Sequence, residues 1–314
     1  IGSLPAIVLS ALVIGIGYGP LTPAGSHVLA QVTPPERRSL VFSIKQTGVP
    51  AGPFVAGLAV PQIIILSGWQ GALEAMAGVC ALSAALLIPF RRQIDGMAPV
   101  PAAGSFSLRR AVLDPLQRVL RHRMLRALML VSFGLAGIQV VLSTFFVTYL
   151  TQSAGFTLAW AGLALSLSQA AGVVGRIAWG ALADRVGARP VLYALAAGTC
   201  AAALLTAGMH AGWPLAAVLV VGTAFGATAS GWNGVFLAEV ARLAPKGEVA
   251  PVTSGVLTAT YAGVITMPSL VSLVVGATGS WASAFGLAVA AVAVPVLMLA
   301  ATARAEARSQ GEGG

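Results

Sequence analysis

Charge is what this sequence has least of. Of its 314 residues only 9% are Asp, Glu, Lys or Arg. Soluble domains carry about 25%, so a chain this poor in charge and 57% hydrophobic does not read as a soluble globular domain. Cysteine is nearly absent too. Cys80 and Cys200 each sit inside an apolar run, where they read as small packing residues and not as a disulfide. No metal constellation, nucleotide loop or nucleophile–base set is visible, so nothing marks an enzyme or a resident cofactor. Acidic residues number nine against 18 Lys and Arg, a net charge of +9. That excess does not point to nucleic acid, because the cations are spread over several short segments and are not gathered on one soluble face. No basic stretch precedes the first apolar run, which therefore reads as a span and not as a signal peptide.

What the chain does have is long apolar runs. Nine reach the roughly 20 residues a bilayer core requires. Their expected limits are 5–29, 40–66, 71–89, 127–149, 157–180, 190–209, 213–237, 251–275 and 281–301. The connections alternate in character. Pro34 to Lys45, Arg91 to Arg126, Asp184 to Arg189, Arg242 to Glu248 and the tail from Arg304 are basic. Ser67 to Glu74, Thr151 to Thr157, Met209 to Trp213 and Gly276 to Ser283 hold no Lys or Arg. The positive-inside rule places the basic set, with the central connection and the C-terminus, in the cytoplasm. The expectation is a multi-pass protein of the plasma (inner) membrane.

Between two of these runs, Gly180, Asp184, Arg185, Gly187 and Arg189 form the pattern G-x-x-x-D-R-x-G-x-R. Glycine allows a sharp turn there, and the charges stay in water while the flanking helices lie in lipid. The pattern resembles the signature loop of the major facilitator superfamily of secondary transporters, in the copy between that family's eighth and ninth helices. The resemblance implies a gate latch, in which this loop pairs with neighbouring helix ends and stabilises one access state. The other reading of the loop is a topology determinant alone.

An internal repeat supports the resemblance. Gly17, Pro34 and Trp69 are echoed by Gly226, Pro245 and Trp281, with Pro-to-Trp spacings of 35 and 36 residues. Spans one to three thus repeat spans seven to nine. Spans four to six lack a counterpart, so about 85 residues, or three helices, are expected upstream of Ile1 in a fold of two parallel six-helix halves. The expected fold class is an all-α membrane protein, a bundle of the major facilitator type with nine transmembrane helices equivalent to helices four to twelve of twelve. The expected domains are an incomplete N-terminal bundle over 1–90, a linker over 91–126, a six-helix bundle over 127–303 and a tail over 304–314. Within the linker, Phe106 to Met124 mixes Leu108, Val112, Leu113, Leu116, Val119 and Leu120 with Arg109, Arg110, Arg118, Arg121 and Arg123. This predicts an amphipathic helix on the anionic inner leaflet, with anionic lipids as partners. Pro115 is a candidate break in it. The tail reads as short, polar and disordered.

Spans 71–89, 190–209 and 281–301 are poor in polar residues and read as lipid-facing supports. The family's peripheral helices, its third, sixth, ninth and twelfth, fall in the same register. The remaining spans carry polar groups, which in a bilayer usually face the bundle interior. Arg176 lies eight residues before Asp184, about 12 Å up the helix. Either it clamps a substrate carboxylate or it is an anchor near the inner gate. Its Gly-Arg-x-x-x-Gly setting resembles that of monocarboxylate and oxalate/formate carriers, although Gly172 stands where the monocarboxylate pattern has an acid. Lys45 is either a snorkelling anchor or a second anion-binding cation beside Gln46. Gln139, Asn233 and Tyr261 complete the candidate substrate-binding set. His27 reads as a packing histidine in preference to a proton relay. Glu239 reads as half of a solvated helix-end pair with Arg242, and Glu74 lies at a span end.

Gly48, Gly52, Pro53 and Gly57 form G-x-x-x-G-P-x-x-x-G, a spacing that suits close helix packing. The stretch resembles one in drug/proton antiporters, whose preceding helix carries an Arg where this chain has Ala11. Taken together, the expectation is a secondary transporter working by alternating access on a small organic anion, as a monomer, with a proton as a possible coupling ion. The alternatives are a proton-coupled drug or metabolite efflux pump and a non-transporting truncated membrane protein.

Overall fold

The computed structural model describes residues 4–92, 96 and 108–311, with the side chains at 7, 53–58, 61, 108–112, 306–307 and 309–311 outside that description. Every regular element among the described residues is helical. In lipid a backbone must satisfy its own polar groups, and the helix does this within one segment. The helices are α1 (Leu4–Tyr18), α2 (Leu21–Val32), α3 (Arg38–Leu87), α4 (Leu108–Arg121), α5 (Arg123–Gln152) and α6 (Leu158–Val186), then α7 (Ala188–Ala207), α8 (Leu215–Ala229), α9 (Trp232–Leu243), α10 (Val249–Thr278) and α11 (Trp281–Gly311). Eight stretches among the described residues are long and apolar enough to cross a membrane. The run expected over 40–66 is not one of the eight, but its backbone is helical from Arg38 onward.

Three boundaries differ from expectation for local reasons. The expected loop from Ser67 to Glu74 is a corner at Gly68 alone, where φ 72° and ψ 179° let two helical arms join inside α3. Only glycine tolerates that combination readily. The first span breaks at Gly19–Pro20 into α1 and α2, and the seventh breaks at Ser230–Gly231 into α8 and α9. Aligned on Pro34 and Pro245, the two breaks coincide, so the repeat extends to the helix discontinuities. At the C-terminus α11 continues to Gly311 through the segment expected to be disordered. The run Ala-Thr-Ala-Arg-Ala-Glu-Ala-Arg is rich in strong helix formers and has no breaker until Gly311.

Pro115 does not break the linker helix either. α4 runs through it and ends at Arg121, after which His122 caps α5 by accepting from the Leu125 N–H at 3.4 Å. α4 is seated on α10. Val119 is fully buried, and a Cβ on Gly255 would lie 2.5 Å from the Pro115 carbonyl oxygen. Arg118 pairs with Glu248 at the start of α10, and that carboxylate raises the guanidinium pKa.

Helices α5 to α11 form a packed set. Phe146, Tyr149, Phe225, Trp232, Phe236 and Phe285 are buried in it. Tyr149 packs at a tilt against Trp281 and edge-to-face against Phe285, with ring centroids 5.6 and 5.3 Å apart, and its hydroxyl donates to the Met209 carbonyl at 2.9 Å. α7 and α11 pack chiefly within this set. The N-terminal set, α1 to α3, meets it through α3 on α6, α3 on α9 and α2 on α10. Those contacts gather at the end that carries the basic connections. α1, farther along, has its one substantial contact with α2.

Candidate functional site

The α6–α7 turn sits at the end where the two sets meet. Gly187 takes φ 96°, which lets α6 stop and α7 begin with no intervening loop. Asp184, in the last turn of α6, is thereby aimed at the start of α3. The Ser39 N–H donates to its Oδ1 at 2.8 Å and the Leu40 N–H to its Oδ2 at 3.0 Å. A carboxylate there satisfies two donors that a helix N-terminus leaves free and sits at the positive end of the helix dipole. Arg189, from the first turn of α7, donates to Glu239 Oε1 at 2.6 Å. Arg242 holds both oxygens of the same carboxylate at 2.7 Å. Glu239 is only 2% exposed. The solvated pair expected for Glu239 is therefore a buried carboxylate between two guanidiniums, because α7 begins directly over α9. Arg185 is exposed. A cavity of about 370 Å³ lies here among Pro35, Arg38, Asp184, Arg189, Glu239 and Arg242.

Just inside this end the helices touch through glycine. A Cβ on Gly180 would lie 2.5 Å from Ser43 Oγ and 2.9 Å from the Ser39 carbonyl oxygen. A Cβ on Gly234 would overlap the Ser43 backbone itself. Ser43 is thus gripped between α6 and α9. Reading the sequence found Gly180 as a loop residue but missed Gly234 and Ser43, whose only signal was their small size. The expected packing stretch behaves differently. No described atom lies within 4 Å of a Cβ built on Gly48 or Gly52, so these two glycines mark no helix crossing among the described residues. The side chain of Pro53 and the surroundings of Gly57 fall outside the described residues.

One level deeper lies Arg176, 1% exposed between the sets. Its Nε donates to the Ser230 carbonyl at 2.8 Å, and its Nη1 donates to the Gln46 carbonyl. Gln46 Nε2 in turn donates to Asn233 Oδ1 at 2.9 Å, and Trp232 Nε1 donates to Gln139 Oε1 at 3.1 Å. Of the residues expected to bind substrate, Arg176, Gln46 and Asn233 are thus one bonded cluster, with Gln139 joined through the neighbouring Trp232. Tyr261, 37% exposed, is not hydrogen-bonded into the cluster. Lys45 faces elsewhere. Its ammonium lies along α2, where a Cβ on Gly25 would be 3.5 Å from Nζ, and no described group pairs with it. His27 is 4% exposed and accepts from Gln31 Nε2 at 2.8 Å.

Comparison with known proteins agrees with this architecture. The Major Facilitator Superfamily pattern matches residues 1–240. Two uncharacterized MFS-type transporters of Mycobacterium tuberculosis, from strains CDC 1551 and H37Rv, are each 27% identical over 193 residues. The match takes in 60% of this chain and 41% of each relative, so the chain spans less than half of the relatives it resembles. Among solved structures, the E. coli fucose:proton symporter FucP aligns with TM-score 0.65 at 18% identity, over 88% of this chain and 72% of that one. A bacterial homologue of the iron transporter ferroportin, in an outward-facing state, aligns with TM-score 0.65 at 18% identity, over 86% and 65% of the two chains. At such identities the likeness is one of fold. The family is one of membrane transporters and not of enzymes. By its pattern, its relatives and its all-helical membrane fold, the chain belongs to the major facilitator superfamily.

Proposed function

We propose that this chain carries out secondary transport of a small organic anion, with the site at the Arg176 cluster. The observation behind this reading is the placement of Arg176. A guanidinium 1% exposed between the two sets of helices creates a positive potential in a low-dielectric interior. Among the described residues no carboxylate bonds into the cluster, and Asp184 and Glu239 are engaged at the basic end. Gln46, Gln139 and Asn233 add neutral hydrogen-bonding groups of the kind that fix a ligand's orientation. Lys45 adds a second cation from its place along α2, without joining the cluster.

If the basic end is cytoplasmic, as the positive-inside rule predicts, the contacts between the two sets close the inner side. Transport then requires rocking of one set against the other. The inner leaflet would meet α4, whose basic residues suit anionic headgroups.

Binding and uptake of a labelled carboxylate panel in proteoliposomes tests the proposal. The expected result is saturable carboxylate uptake, competed by other carboxylates and not by amines. Lys45→Ala and Tyr261→Phe should raise KM. Carboxylate uptake indifferent to both substitutions, or saturable uptake confined to cationic solutes, would overturn the anion reading.

A further inference from the structure

The Arg176 cluster contains a backbone feature that the substrate reading does not use. In a helix each carbonyl accepts from the N–H four residues on. For Gln46 that residue is Pro50, inside the helical run of α3, and proline has no N–H. The usual partner of the Gln46 carbonyl is therefore missing. Ser230 sits in the break between α8 and α9, beyond the last residue of one helix and ahead of the first of the next. Arg176 donates to both carbonyls. One guanidinium thus serves two oxygens that two separate helix irregularities have left without helical partners. One oxygen belongs to the N-terminal set and the other to the C-terminal set.

We propose that Pro50 and Arg176 form a backbone latch, in which the proline makes closure of the basic end depend on the arginine. An unsatisfied carbonyl in a membrane interior is costly. With Pro50 present, parting the two sets strips the Gln46 carbonyl of its donor and leaves Arg176 with one partner fewer. With a residue that has an N–H at position 50, the helix would satisfy Gln46 by itself, and the closed state would lose that advantage. The Gln46–Asn233 side-chain bond lies beside this contact and cannot replace it, because it leaves the Gln46 main chain untouched. Pro50 therefore acts through the acceptor it leaves open and not through a kink alone. The proposal is independent of what the transporter carries.

The test measures conformation and not uptake. The full chain, with Cys80 and Cys200 replaced by Ser, carries spin labels at Glu36→Cys and Lys246→Cys on opposite sets at the basic end. Distance distributions are recorded in lipid nanodiscs for Pro50→Ala, Arg176→Gln and the double variant. Pro50→Ala should raise the open-to-closed ratio. Arg176→Gln should raise it when Pro50 is present and change it less in the Pro50→Ala background, a coupling of about threefold or more, the size expected of groups that share one hydrogen-bond partner. Equal effects of Arg176→Gln in both backgrounds, or an unchanged distribution in Pro50→Ala, would overturn the latch. Should Arg176→Gln not fold, Pro50→Ala decides alone, since it restores a helical hydrogen bond and leaves every side-chain contact of Arg176 in place.

Discussion

Asp184 and Ser39, 145 residues apart in sequence, are joined by a 2.8 Å hydrogen bond from the Ser39 backbone N–H to the Asp184 carboxylate. With the Leu40 N–H at 3.0 Å, this makes the signature loop of the C-terminal set the N-terminal cap of a helix in the other set. Asp184→Asn keeps one acceptor and loses the charge. A cap and its dipole interaction together contribute about 1–2 kcal/mol. The expected outcome is a roughly 5- to 30-fold rise in the open fraction at the basic end. Cross-linking rates of cysteine pairs across that end would show it, and unchanged rates would remove Asp184 from the latch.

Gly180 and Gly234 both press on the Ser43 side chain, but Gly234 presses on its backbone as well. A Cβ on Gly180 meets Ser43 Oγ and Cβ, whereas one on Gly234 meets Oγ and also the Ser43 Cα and N. Gly180→Ala and Gly234→Ala should both hinder closure. Adding Ser43→Gly should restore much of the closure to Gly180→Ala and little to Gly234→Ala. Equal rescue of the two, read from the same cross-linking, would mean that the contacts are not where closure is limited.

Glu239 is buried between Arg189 and Arg242 and ties α7 to α9 within one set. Charged hydrogen bonds of this kind contribute about 1.5–3 kcal/mol each, less where the partner reaches water. Arg189 is 26% exposed and Arg242 55%, so Glu239→Ala should destabilise by about 1–3 kcal/mol. The apparent melting temperature in detergent should fall by several degrees, and Glu239→Gln should recover part of the loss. Because both guanidiniums belong to the C-terminal set, the substitution should lower stability without changing the open-to-closed ratio.

The linker helix is held by shape more than by charge. The Arg118–Glu248 pair is exposed, and such pairs contribute about 0–1 kcal/mol. Arg118→Ala should leave α4 seated. Gly255→Leu should dislodge it, since even a Cβ would meet the Pro115 carbonyl and Val119. Amide hydrogen exchange over 113–121 would separate the two, with protection lost in Gly255→Leu alone.

Much of the fold was legible in the sequence because lipid imposes a simple rule. Long apolar runs must be helical, and charges must fall between them. The turn at Gly187 and the placement of Asp184 at a helix end followed from the same rule. The contacts of Asp184 did not, because Ser39 and Leu40 take part through main-chain N–H groups that carry no residue-specific signal. Glu239 was misread for a related reason. Its neighbour Arg242 is near in sequence, while Arg189 and the cover that buries the pair come from α7, and periodicity says nothing about which helix lies on top.

Composition and spacing by themselves determined that this is an all-helical membrane protein with most of its cations between the spans. They also singled out Arg176 as costly to leave facing lipid. Only the tertiary structure decided what Arg176 does in this state. A missing N–H at Pro50 and a helix break at Ser230 are local facts of the chain. Which donor answers both depends on how two sets of helices, far apart in sequence, come together around one guanidinium.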